Sequence, residues 1–397
     1  MIKRLVEVFG RFLLLGLTAF GGPVAHLAYF RKTLIDKYQW LSEQQYAELV
    51  ALCQFLPGPA SSQVGFALGY ARAGFFGALA AFIAFTAPSV CLLVVFSYGL
   101  DYVSPDLKSI LIHGLKLTAC IVVAEALWGM WGKLCTDLYR KLLAIAVSAI
   151  LLAWSQTGLH LLVLSSAGLL SMLFVREGVI TTVECQPFIH INKALSLCCL
   201  VLFAVLLAFT VFALPFVSKE LQIAGGFYQA GALVFGGGHV VLPMLQELVV
   251  ERAWLDEQLF LAGYGAAQSL PGPLFSFAAY LGFNIDADIA PMLLAFVALG
   301  AIFLPGFLLL IGVLPYWQSL RHYPRVAKFV TGLNAAVVGL VAAALVDPIV
   351  SVSITHWLDA FYVCIVLFAV LRYHLTPLVV IALSLSYALS THWFGFI

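Results

Sequence analysis

The sequence predicts an all-α polytopic membrane protein built from two inverted-topology repeats with re-entrant or broken helices, joined by a linker helix. Three observations predict it. First, apolar stretches recur along 397 residues of which 63% are hydrophobic and 10% charged, against about 25% charged in soluble chains. Second, a proline–glycine break occurs twice in one context, QFLPGP at Gln54–Pro59 and QSLPGP at Gln268–Pro273. Third, the basic residues of equivalent loops change sides between the two copies.

The composition sets the class. A bilayer core of ~30 Å asks for about 20 apolar residues per helix, and a mean hydropathy of +1.05 fits repeated runs of that kind. The net charge of +1 speaks against a nucleic-acid partner. The eight cysteines are scattered and read as small apolar helix residues. The N-terminus has a basic start and an apolar stretch, as a secretory leader would. Its Phe20-Gly21-Gly22 returns as Phe235-Gly236-Gly237-Gly238, so the segment is read as part of the fold.

The repeat extends beyond the break. WLSEQ at Trp40 and WLDEQ at Trp254 precede it, and 9 of the 20 positions from Trp40 to Pro59 are identical to their counterparts. FIAFTAPS at Phe82 matches AIFLPG at Ala301, each with a proline inside an apolar run. HGLKLTACIVVAEAL at His113 matches TGLNAAVVGLVAAAL at Thr331. The copies occupy 1–176 and 224–397, and 177–223 is a linker with one transmembrane helix at 192–216.

Lys and Arg collect on the cytoplasmic side. Arg31, Lys32 and Lys37 precede the first break, where the second copy has only Arg252. Arg72 follows the first break, whereas Asp286 and Asp288 follow the second. One loop further on the bias reverses, with Lys108 in copy one and Arg321, Arg325 and Lys328 in copy two. This is the pattern of an inverted repeat, and a lone linker helix supplies the inverting crossing.

Each element then has a local reason. Residues 12–23 are too short to span comfortably. Leu27, Phe30, Leu34 and Tyr38 follow at helical spacing opposite charges, as in an interfacial helix. Ser42 and Asp256 are placed to cap the helices entering the breaks. Pro59 suits a first helical turn, where its missing N–H costs nothing. Irregular backbone at membrane depth must line a cavity or be buried in protein, and paired broken segments point to a transport site.

Helix N-termini offer unpaired amides and partial positive charge, so the breaks predict an oxyanion site. The candidate binding residues are Gly21, Gly22, Gln54, Gly58, Ala60, Ser61 and Ser62 in copy one, and Gly237, Gly238, His239, Gln268, Gly272 and Ser276 in copy two. Lys116, inside the apolar stretch 107–131, joins them because a buried lysine there costs roughly 2.5–3.5 kcal/mol; a lysine that reaches back toward the helix end would be merely structural. Glu125 and His239 are the candidate proton carriers. His26 lies near the equivalent break, where a lone histidine is ordinarily structural. No catalytic residue, metal site or cofactor motif is found.

FGG near the start, the WL-[SD]-EQ stretch and Q-x-L-P-G-P in both halves resemble the chromate ion transporter family in its two-domain form. The resemblance covers essentially the whole chain. It implies export of chromate, a tetrahedral dianion, linked to membrane potential or protons, with sulfate or other anions as the cargo of some relatives. FGGP in copy one and FGGGH in copy two depart from equivalence. A sulfate or other anion importer or exchanger is the alternative, and an intramembrane enzyme a further one that lacks a nucleophile or metal cluster. The partners expected are a small oxyanion, chromate or sulfate, the lipid bilayer of the cytoplasmic (inner) membrane, and a second copy in a homodimer.

Overall fold

The computed structural model describes all residues except 155–158, 175–188, 190, 213–216, 236–237, 321–322 and 394–397, and leaves the side chains of 161, 239 and 318 undescribed. In the first copy, α1 (Ile2–Thr18) and α2 (Gly22–Phe30) flank the first glycine break, and α2 runs on into a π-helical turn, Arg31–Lys37. Next come α3 (Glu43–Phe55), α4 (Ala60–Tyr102), α5 (Pro105–Leu134), α6 (Leu138–Ala153) and α7 (Leu159–Phe174). The linker helix is α8 (Lys193–Phe212). The second copy has α9 (Lys219–Leu233), α10 (Val241–Val249), α11 (Glu257–Ser269), α12 (Phe277–Asn284) and α13 (Pro291–Val313). The short α14 (Trp317–Leu320), α15 (Pro324–Ala344), the short α16 (Ser351–Ser353), α17 (Trp357–Tyr373) and α18 (Pro377–Trp393) complete it. Among the described residues five helices are long and apolar enough to cross a membrane. On α8, Leu197, Val201 and Val205 stand exposed, a face that suits lipid.

The expected caps form. Ser42 Oγ accepts from Gln45 N at 3.2 Å while Gln45 Oε1 accepts from Ser42 N at 3.0 Å, a capping box that satisfies two otherwise unpaired amides at the start of α3. Asp256 Oδ2 accepts from Gln258 N at 2.9 Å at the start of α11. On the stretch expected to be interfacial, Phe30 and Leu34 are buried while Arg31, Lys32 and Lys37 are exposed.

The compact units of the chain do not follow the sequence repeats. One is Met1–Val94 with Gly178–Val241 and Leu270–Pro324; the other is Val95–Glu177 with Leu242–Ser269 and Arg325–Ile397. Each takes segments from both copies.

In the first unit α13 packs on α8, α9 and α12. Small residues let the backbones close. A Cβ on Gly231 of α9 would collide with the Ile302 carbonyl, and one on Gly282 of α12 would lie 2.7 Å from the Leu294 carbonyl. Close backbone approach of this kind stands in for the hydrophobic drive that lipid removes. Helix α4 is interrupted at Ala73-Gly74, where Gly74 has φ +67°. A Cβ on Gly69 would strike the Gly77 carbonyl. In a straight helix those residues would stand about 12 Å apart, so the chain doubles back at the interruption. Phe66 stacks on Phe307 at 4.2 Å, and Phe82 meets Phe303 at 4.9 Å and Phe307 at 5.1 Å. Such aromatic pairs are worth about 0.5–1.5 kcal/mol each beyond their buried area.

In the second unit α5 packs on α11, α17 and α18. Its Gly114 meets Leu385 and the Ser384 carbonyl of α18, and Gly332 of α15 meets Ser171 and Ala167 of α7. Tyr139 and Ser171 share a hydrogen bond at 3.1 Å, as do Tyr362 and Ser384 at 3.0 Å.

Candidate functional site

Both proline–glycine–proline tips lie in the first unit. Gly58 has φ +115° and Gly272 φ +103°, a region closed to side chains for steric reasons. The Gly58 amide donates to the Val234 carbonyl at 2.7 Å, and the Gly272 amide to the Ala19 carbonyl at 3.0 Å. Val234 and Ala19 hold the same place in their copies, one residue before the phenylalanine of the glycine break. Each tip is therefore tied to the break of the other copy.

The same exchange appears at the helical prolines. Pro88 lies inside α4 and Pro305 inside α13, where each removes one helical hydrogen bond. A Cβ on Gly58 would lie 3.0 Å from Gly306 Cα, and one on Gly272 would lie 2.9 Å from Ser89 Oγ. Ser89 and Gly306 each follow their proline. A glutamine absent from the sequence expectations locks the first contact: Gln63 Nε2 donates to the Pro57 carbonyl at 3.0 Å and to the Gly306 carbonyl at 2.9 Å. Serines lock the second. Ser89 Oγ lies 2.7 Å from Ser276 Oγ and donates to the Thr86 carbonyl at 2.9 Å.

Around the start of α4 the polar groups are buried without full pairing. His26 is 1% exposed and its Nδ1 lies 3.4 Å from Ser61 Oγ. Its ring stands edge-on to Phe85 at 5.3 Å. Ser62 Oγ, Gln63 Oε1 and Thr86 Oγ1 are buried and have no hydrogen-bond partner, while the His26 ring also meets the Ala19 backbone. An unmade buried hydrogen bond costs about 1–3 kcal/mol. Gln63 N is bonded to the Pro59 carbonyl, whereas the first amides of a helix have no acceptor within it. Two hydroxyls, an imidazole and the amides of Ala60, Ser61 and Ser62 thus form a neutral set of donors.

The remaining candidates separate. Gly21 (φ +100°) caps α2 and Gly22 (φ +78°) begins it. Gly238 opens a 3₁₀ turn, Gly238–Val240, and a Cβ there would meet Leu274 and Pro23. The second break thus adjoins the second tip and the residue after the first break. Gly237 lies outside the described residues, and of His239 only the backbone is described. Gln54 ends up exposed in the last turn of α3, so the amide at the first tip is Gln63. Gln268 closes α11 in the second unit, four residues after Tyr264, whose hydroxyl it hydrogen-bonds. Lys116 is also in the second unit, buried on α5, with Nζ donating to the Val352 carbonyl at 3.2 Å. Glu125 lies further along α5.

The chromate transporter family matches residues 6–172 and 221–389. A probable chromate transport protein of Synechococcus elongatus is 29% identical over 87% of this chain and 84% of its own length. A chromate transport protein of Pseudomonas aeruginosa is 27% identical over 86% and 80%, and one of Cupriavidus metallidurans 28% over 87% and 82%. No solved structure matches.

Proposed function

Because the chain belongs to the chromate transporter family, we propose that it is a secondary transporter that carries chromate out of the cell across the cytoplasmic membrane. One observation carries the site assignment. Ser62 Oγ and Thr86 Oγ1 are buried on α4 with no hydrogen-bond partner in the protein, and the buried His26 ring meets Ser61 at the start of that helix. A tetrahedral oxyanion needs such donors once it sheds water. Neutral donors bind a dianion without holding it as an ion pair would, and a carrier must also release its cargo.

The exchanged contacts of the two tips support a transport path built from both repeats, 1–176 and 224–397, with the linker 177–223 inverting the second. The loop charges support the same reading. The glycine breaks, beside which both tips are bonded, belong to the same path. Relatives named as transport proteins support a carrier over an enzyme.

Direction follows from charge. A dianion leaving a cell held at 100 mV, negative inside, gains roughly 2 × 2.3, or about 4.6 kcal/mol. Proteoliposomes with a potassium diffusion potential of either sign test this. Radiolabelled chromate should move toward the positive side, slow when the potential is collapsed, and be competed by sulfate. A flux indifferent to the potential would exclude uncompensated dianion export.

A further inference from the structure

The second unit holds a buried ionisable cluster that the oxyanion site does not use. His113 Nε2 lies 3.3 Å from Asp359 Oδ1, and their side chains are 5% and 1% exposed. Asp359 Oδ1 also accepts from the Tyr387 hydroxyl at 2.9 Å. Its Oδ2 accepts from Thr355 N, Thr355 Oγ1 and His356 N, each at 3.0 Å. One oxygen therefore caps α17, while the other holds a tyrosine and an imidazole. Capping alone would need neither.

Lys116 stands one turn along α5 from His113, on the same face. Its electrostatic neighbours are Asp359 of α17 and Asp256 and Glu257 at the start of α11. From α18 the cluster meets Tyr387, which stacks on Tyr362 at 4.2 Å. In the aligned second copy the positions of His113 and Lys116 are Thr331 and Asn334, so the charges occur once per chain.

Ionisable side chains inside membrane helices are costly and mark ion or proton pathways. Lys116 and Asp359 cancel in charge. The imidazole decides the net charge of the trio, zero when neutral and +1 when a proton joins its ring nitrogen, and histidine is the side chain best suited to exist in both forms. We propose that the His113–Asp359 pair is a proton-binding site whose occupancy is exchanged against the oxyanion, with His113 holding the proton and Asp359, Tyr387 and Lys116 as positioning residues. The exchange rests on the transport reading above; the proton site does not.

The test uses the full chain in liposomes, with the potential clamped at zero by valinomycin and equal potassium. With the interior one pH unit more acidic, one exchanged proton should concentrate chromate inside about tenfold. His113→Gln should abolish that accumulation. Asp359→Asn should move the pH midpoint of flux downward, because the imidazolium loses its counter-charge. Infrared titration of the detergent-solubilised protein with ring-labelled histidine should show a pH-dependent band that His113→Gln removes. Gradient-driven accumulation that survives His113→Gln overturns the proposal, as does an unmoved midpoint in Asp359→Asn. If the unaltered protein moves no chromate under any gradient, the transport reading falls. The infrared titration then decides the pair alone, and an unchanged spectrum in His113→Gln overturns it.

Discussion

Ser89 and Ser276, 187 positions apart, share a buried hydrogen bond of 2.7 Å. One follows the helical proline of the first copy and the other follows the tip of the second. The bond fastens the two copies together beside a helical proline and a tip. A double-mutant cycle of Ser89→Ala and Ser276→Ala should give a coupling of about 0.5–1.5 kcal/mol in thermal or denaturant unfolding. Additive losses would mean that the bond contributes nothing to the fold.

Gly58→Ala and Gly272→Ala each place a methyl at positive φ and against the opposite copy, on Gly306 Cα and on Ser89 Oγ. The conformational penalty alone is roughly 1–2 kcal/mol. Chromate flux should fall at least about tenfold, the equivalent of 1.4 kcal/mol, with insertion retained. Gly58→Ala should be the more harmful, because backbone cannot yield as a serine hydroxyl can. Near-normal flux in both would reduce the tips to packing features.

Ser62→Ala and Thr86→Val remove hydroxyls that bond nothing in the protein. Stability should stay level or rise slightly, while the half-saturating chromate concentration rises about five- to tenfold, as the loss of one hydrogen bond would do. Gln63→Leu should cost about 1–3 kcal/mol of stability, since it strands the carbonyls of Pro57 and Gly306. Gln54→Leu, at an exposed position, should do little. Unfolding curves and flux on the same preparations separate the three behaviours, and unchanged half-saturation in both hydroxyl variants would remove those groups from the site.

The loop charges predict that Arg72, Arg325 and Lys328 face the cytoplasm and that Asp286 and Asp288 face outward. Single cysteines at these positions in a cysteine-free background should label accordingly with an impermeant reagent. Labelling of positions 72 and 286 from the same side would sink the inverted arrangement.

What the sequence made legible was local. The tips, the glycine breaks and the caps at Ser42 and Asp256 each lie within a few residues, and proline, glycine and capping side chains act through the backbone next to them. Partners across the chain were not legible. Gln63 hides in a polar triplet after Pro59, and only the fold brings it to Gly306, 243 positions away. Gln54, in the repeated motif, lies exposed in the last turn of α3. Lys116 stood out by its charge, but His113 reads as an ordinary helix residue until Asp359 is placed beside it. The linker helix, Lys193–Phe212, lies within the apolar run that suggested it, because such a run needs no partner to announce it.

The interleaving of the two compact units has a consequence for biogenesis. A unit assembled from Met1–Val94, Gly178–Val241 and Leu270–Pro324 lacks its final layer until the ribosome has passed Pro324. The polar start of α4 is made early and must wait in the bilayer without its carbonyl partner at Gly306. Nascent chains expose such unfinished surfaces to mispairing. A ribosome stalled midway should therefore leave the first tip open to proteolysis, whereas in the finished molecule the same peptide bonds are shielded.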